Sequence, residues 1–248
     1  TTFDGYGKKF FNQHTLTGEA LYKRTGVHFY GFKPDDFPEL DLEKNDYKQA
    51  YNLFELKTGL ESNYIGDDKF NHYLKFKYYF LTDKFNAHEN SVMFDAGLNK
   101  NTTFFNFSEN EKLGINAGVD YYFAKDTLSS INQGIIRFDP YYDFGFEQYY
   151  FKVGLNMDLE SGPTSYFHVY PIVRAEVQVV KDILITYAGI YGKMDANSLR
   201  SMSDENPFII STLEKRISND KFGQYGGLKG HITKYLDLNL SFVNSTIE

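Results

Sequence analysis

SYFHVYPIVRAEVQVVKDILITYAGIYG, residues 165 to 192, carries two interleaved series of side chains. Taken at every second residue, Phe167, Val169, Pro171, Val173, Ala175, Val177 and Val179 are all apolar. The intervening Tyr166, His168, Tyr170, Arg174, Glu176 and Gln178 are polar or aromatic. Successive side chains on a strand point to opposite faces, so this is a strand with two unlike surfaces. The chain then turns at Val180-Lys181-Asp182 and returns through Ile183 to Tyr191. The arms exceed the roughly 5 to 6 residues of ordinary globular strands and match the roughly 9 to 11 that a tilted membrane-crossing strand needs.

Which residues of the return arm face outward depends on the turn. A two-residue turn points Leu184, Ala188 and Ile190 the same way as the valines, whereas a three-residue turn points Ile183, Ile185, Tyr187 and Tyr191 there. The three-residue turn is the expectation, because it carries the tyrosines to an interface.

The same alternation recurs along the 248 residues. Phe70, His72, Leu74, Phe76, Tyr78 and Phe80 oppose Asn71, Tyr73, Lys75, Lys77 and Tyr79; Leu113 to Phe123 and Tyr149 to Leu159 repeat the pattern. In the first third, Phe54, Leu56 and Leu60 oppose Glu55, Lys57 and Glu61. Apolar parity switches between Leu16 to Tyr22 and Val27 to Phe29, which predicts a bulge near Arg24 to Gly26. Residues 1 to 13 predict no element. Ile131 to Phe138 reads as a weaker strand followed by an aromatic connection around Pro140. A closing hairpin places Leu236, Leu238, Leu240 and Phe242 opposite Asp237, Asn239 and Ser241, after a turn at Lys234-Tyr235.

Between these hairpins lies a long irregular segment, 193 to 221. Asn206-Pro207 has the form of a helix start, and Ile209, Ile210, Leu213 and Ile217 follow at helical spacing, so a short helix is predicted at about 207 to 218. Segment 33 to 45, rich in Pro and acids, is a second long loop. The tight turns and the long connections suggest two unlike rims.

Composition narrows the function classes. There is no Cys, which removes disulfides, thiol catalysis and Cys-ligated metals. The net charge is -7 with no basic block, which argues against a nucleic-acid partner. Twenty-four Phe and 21 Tyr without a Trp favour strands and wet-apolar boundaries. Mean hydropathy is -0.47, and a barrel hides its membrane signal in alternation rather than in apolar runs. Aromatic clusters at Tyr78-Tyr79-Phe80, Phe104-Phe105, Tyr121-Tyr122-Phe123, Tyr141-Tyr142 and Tyr149-Tyr150-Phe151 have the look of interfacial girdles. The competing reading is a soluble β-sandwich, which buries one apolar face in the same alternation.

The hairpin through Tyr187-Ala188-Gly189, the segment Ser203-Asp204-Glu205-Asn206-Pro207-Phe208, and the closing Gly226-Gly227-Leu228-Lys229-Gly230 with Lys234-Tyr235-Leu236 resemble outer-membrane β-barrel proteins of Gram-negative bacteria. More narrowly, they resemble small plug-less barrels grouped with TonB-dependent receptors. The resemblance implies an all-β, up-and-down antiparallel transmembrane barrel of about 10 to 12 strands, alone or as part of a larger one. It also implies a location in the cell outer membrane. The expectation is that no plug or energy-coupling segment lies ahead of the first strand, and the close on Asn244 to Glu248 rather than a terminal aromatic suggests one part of a larger barrel or ends not included. Active coupled import is therefore not expected.

The expected organisation is one barrel domain over residues 1 to 248, with 193 to 221 as a long extracellular-type loop folding over or into the mouth. The expected lumen residues are Lys75, Lys77, Asp95, Lys112, Asp120, Lys152, Asp158, His168, Arg174 and Glu176. Their mixed signs suit either a salt-bridged wall or a polar solute path.

The six histidines lack metal-ligand spacing, and no metal site or cofactor is expected. Asp35-Asp36, Asp67-Asp68 and Asp204-Glu205 lack a calcium-ligand ladder. The expected role is transport or binding without catalysis, with outer-membrane lipid as the surrounding partner. The alternatives are a structural subunit that docks another envelope protein through its loops, a soluble sandwich module, and a hydrolase built on His168 with a Ser and an acid.

Overall fold

A computed structural model describes residues 1–29, 46–64, 69–105, 108, 110–181, 183–233 and 236–248. Among the described residues, twelve antiparallel strands follow one another in chain order in a single sheet. They are β1 (Thr2–Phe11), β2 (His14–His28), β3 (Lys48–Ser62), β4 (Asn71–Asp83), β5 (His88–Thr102) and β6 (Glu111–Lys125). The second half comprises β7 (Ser130–Phe146), β8 (Tyr149–Ser161), β9 (Phe167–Val180), β10 (Leu184–Asn197), β11 (Arg216–Thr233) and β12 (Leu236–Ile247). The helix α1 (Leu199–Glu205) lies between β10 and β11. The fold is all-β and barrel-like, with one sheet where a sandwich has two.

The sheet curls. Lys215, which immediately precedes β11, bonds Asp126, which immediately follows β6, at 2.6 Å. Five strand spacings in a flat sheet separate those positions by about 24 Å. Only strong curvature brings them together.

Alternation sorts each strand into an inner face, on which α1 sits, and an outer face. Leu74, Phe76, Phe94, Leu98, Leu113, Val119, Phe138 and Val153 point outward and are exposed. The inner face holds the buried groups, among them Leu53, Glu55, Tyr79, Glu89, Asn156 and Asp158. The aromatic clusters are split by the pleat: Tyr78 and Phe80 face out while Tyr79 is buried inside, and Tyr122 is likewise buried inside between the outward Tyr121 and Phe123.

Several inner tyrosines lie flat across a glycine on the next strand. Tyr73 covers Gly97, Tyr141 covers Gly114, Tyr225 covers Gly189 and Tyr187 covers Gly227, each pair directly opposed in its ladder. A Cβ at any of these glycines would occupy the space of the ring. Gly189→Val therefore drives into both the Tyr225 ring and the Val173 carbonyl, so ring and strand must shift. The expected cost is about 1–3 kcal/mol, read as a lower denaturant midpoint beside an unchanged Ala188→Val control on the outer face.

Five expectations are corrected. The register from His14↔Ser62 to His28↔Lys48 is unbroken, so no bulge lies near Arg24 to Gly26, and Val27 points inward opposite Gln49. Residues 2–11 form β1, whose ladder to β2 supplies the order that its mixed pattern does not advertise. β7 runs through Pro140: the β7–β8 pairs step from Phe138↔Met157 to Tyr141↔Gly154 in one register, so the missing proline donor costs no alignment. The chain turns between Val180 and Leu184 with a register shift that skips Val179, so Ile185 and Tyr187 pair with Gln178 and Glu176 on the inner face. Thr186, Ala188 and Ile190 face outward instead.

Finally, the helix lies at 199–205 and not at 207–218. Ser198 caps it reciprocally with Ser201, Asn206 is its C-cap, and Pro207 follows where the helix has ended. The β10–β11 ladder continues to Asn197↔Arg216, so the irregular part shrinks to 198–215. The turn at Lys234-Tyr235, the loop 33 to 45 and the paired acids at 35–36 and 67–68 lie outside the described residues.

Candidate functional site

The ladders put all ten expected polar residues on the inner face, distributed along the wall rather than gathered at one point. Lys75 sits opposite Asp95, Lys112 opposite Asp143, Lys152 opposite Arg174, and Asp158 opposite His168. Arg137 joins Asp120 at 2.8 Å and Asp95 at 3.6 Å. Arg174 pairs with Glu176, which also meets Lys229 at 3.3 Å. Lys77 lies 3.6 Å from Glu55. The ring of His168 stacks on Tyr170 at 5.9 Å and leans on Tyr166. Asp158 accepts from the Met194 backbone at 2.8 Å, and Asn156 donates to the Gly192 carbonyl at 2.9 Å.

The densest constellation is one that no local sequence signal marks. Residues 198–215 form a strap laid on the inner ends of β3 to β6, held by carboxylates of the wall. Glu89, fully buried, accepts the amides of Leu199 at 2.7 Å and Arg200 at 3.1 Å, and the Tyr79 hydroxyl at 2.7 Å. Free amides at a helix start are ready donors to an anion, which is why Glu89 holds α1 by its first turn.

The Arg200 guanidinium reaches Glu55, which is 1 % exposed and also meets Lys57 at 2.8 Å. The same guanidinium lies over the Tyr79 ring at 4.7 Å. Asp83 accepts from the Ser211 hydroxyl and from Gln49 at 3.1 Å. The Tyr51 hydroxyl donates to the Ile209 carbonyl at 3.3 Å, and Asp204 pairs with Lys23 at 2.9 Å. The strap's buried apolar anchor is Leu199, packed among Tyr51, Leu53, Tyr79, Leu81, Ala87 and Tyr122.

The Lys215–Asp126 pair closes the far end of the strap, both side chains buried. Burial pushes the Asp126 carboxyl up. The Lys215 ammonium, with the amides of Leu128 and Ser129 at 2.8 Å, outweighs it and brings the carboxyl down to about 2. An acid whose folded value lies below its unfolded value of about 3.9 stabilises the structure above that value and loses the contribution as it is protonated. Protection of the 211–215 amides in hydrogen exchange is therefore expected to hold above about pH 4 and fall between about pH 4 and pH 2.

Together the curled antiparallel sheet, the outward apolar side chains and the polar inner wall define a barrel-like all-β fold. That fold is similar to a solved structure of P. aeruginosa FpvA bound to heterologous pyoverdines, at a TM-score of 0.58 and 11% identity. The match covers 98% of this chain and 41% of that one, so this chain spans about two fifths of the receptor's length. At that identity the likeness concerns the fold. No protein-family model and no curated protein sequence matches the chain.

Proposed function

We propose that this chain forms wall of an outer-membrane β-barrel that binds or passes a polar solute and performs no catalysis. One observation carries the reading: large apolar side chains stand exposed on the outer face of neighbouring strands, while the inner face holds ion pairs and tyrosines. Leu98, Leu113 and Val169, on three different strands, are each about half exposed. A soluble monomer rarely exposes a contiguous apolar surface beyond a few hundred Å², whereas a lipid-facing barrel wall requires one. The likeness to FpvA supports the same location and a role in transport or binding.

The test is flux. Proteoliposomes made with the full chain are expected to take up small polar solutes faster than empty liposomes. A protein that stays monodisperse in buffer without detergent would contradict the reading.

A second reading is a structural subunit within a larger envelope assembly, and the sheet edges favour it. Among the described residues no ladder joins β1 to β12. Phe3, Tyr6 and Phe10 on one edge and Leu240, Phe242 and Val243 on the other are all exposed. Unpaired backbone groups are not tolerated in hydrocarbon, so in a membrane both edges need strand partners. Co-purification of another envelope protein from detergent, abolished by proline substitutions in β1 or β12, distinguishes this role.

A further inference from the structure

We propose that the strap 198–215 is a gate whose docked position is the closed state, a reading that rests on the proposed solute path along the inner wall. The mechanics are set by three features. First, the β10–β11 ladder, with one register shift between Tyr191 and Lys193, extends to Asn197↔Arg216, so the strap can leave the wall without breaking a ladder bond. Second, α1 carries its own capping box in Ser198 and Ser201, with reciprocal bonds of 3.1 and 2.9 Å, so two of its end donors keep their partners when it leaves the wall.

Third, the strap is held mainly by polar groups that water can replace: Glu89 on α1, Glu55 on Arg200, Asp83 on Ser211 and Asp126 on Lys215. Its apolar holdfasts are the buried Leu199 and the partly buried Ile209, packed against the same cluster. Segments that move are drawn from regions with few buried apolar contacts. Docked, the strap covers the inner ends of β3 to β6 and occupies four wall carboxylates, pairing Glu55 and Asp126 with its cations and giving Glu89 and Asp83 hydrogen bonds. Lifted, it uncovers them at the mouth and widens the passage.

The chain has no Cys and so accepts engineered thiols cleanly. A Ser211→Cys, Asp83→Cys pair joins the strap to the wall when oxidised. In liposomes the oxidised protein is expected to pass solute at least about tenfold more slowly than the same protein after reduction. In a second set, a spin label at Glu205→Cys reports the strap, and Lys215→Met with Glu89→Ala removes two of its anchors. The label is expected to become mobile and flux to rise.

Equal flux through oxidised and reduced protein would overturn the gate while leaving the solute path standing. An immobile label after loss of both anchors would overturn the hinge. Absence of flux from every variant, with the label freed, would overturn the solute path and the gate together.

Discussion

A Phe94→Arg variant is expected to lose about 2–4 kcal/mol of stability in a bilayer, measured as a shift in the urea midpoint of liposome-inserted protein. Phe94 stands in the middle of β5 on the outer face, opposite Phe76 on one side and Val119 on the other, and is 44% exposed. If those three face lipid, a guanidinium placed among them has neither water nor a counter-ion within reach. Its neighbour Asp95 points the other way, towards Arg137. Asp95→Asn should therefore cost under about 1 kcal/mol, since it trims one partly exposed ion pair. The contrast between adjacent residues is the informative quantity, because it separates a lipid-facing surface from a generally fragile sheet.

The second large effect is expected at Glu89. Its carboxylate is the acceptor for two amides of α1 and for the Tyr79 hydroxyl, all in a site without solvent access. Glu89→Ala leaves three donors unsatisfied, each worth about 1–3 kcal/mol when buried. Relaxation of the strap relieves part of that, so a net loss of about 3–5 kcal/mol of strap anchoring is expected. Hydrogen exchange reads it directly: the amides of 199–206 lose protection, while those of the β5–β6 ladder keep theirs.

Alternation made the sheet legible. A period of two with an unbroken apolar series, as in Phe167 to Val179 or Leu113 to Phe123, leaves little freedom in which face points where, and the register follows. What escaped has local physical causes. β1 mixes Phe3, Gly5, Gly7 and Lys9 on one face with Asp4, Tyr6, Lys8 and Phe10 on the other, so neither series is apolar. Val27 broke the parity of β2 because it faces the wall near the strap and not the outside. Asn206-Pro207 serves equally as the start of a helix and as the stop after one; the Ser198–Ser201 box decides between them.

The strap's anchorage had no such signal. Glu89 meets α1 across 110 residues of chain and Asp126 meets Lys215 across 89, distances at which only the curl of the sheet sets the neighbours. The inner-face glycines carry a partial signal, since each of Gly97, Gly114, Gly189 and Gly227 has a tyrosine at its ladder partner, but the register must be known before the pairing can be read.

The chain contains no Trp, so single tryptophans are clean reporters of what each face touches. In liposomes containing brominated lipid, Phe94→Trp and Phe138→Trp are expected to be strongly quenched, while Tyr73→Trp and Tyr141→Trp on the inner wall resist the lipid and are quenched by aqueous acrylamide. Equal quenching of all four by lipid, or of all four by acrylamide alone, would contradict an outer face that meets the membrane and an inner face that meets water.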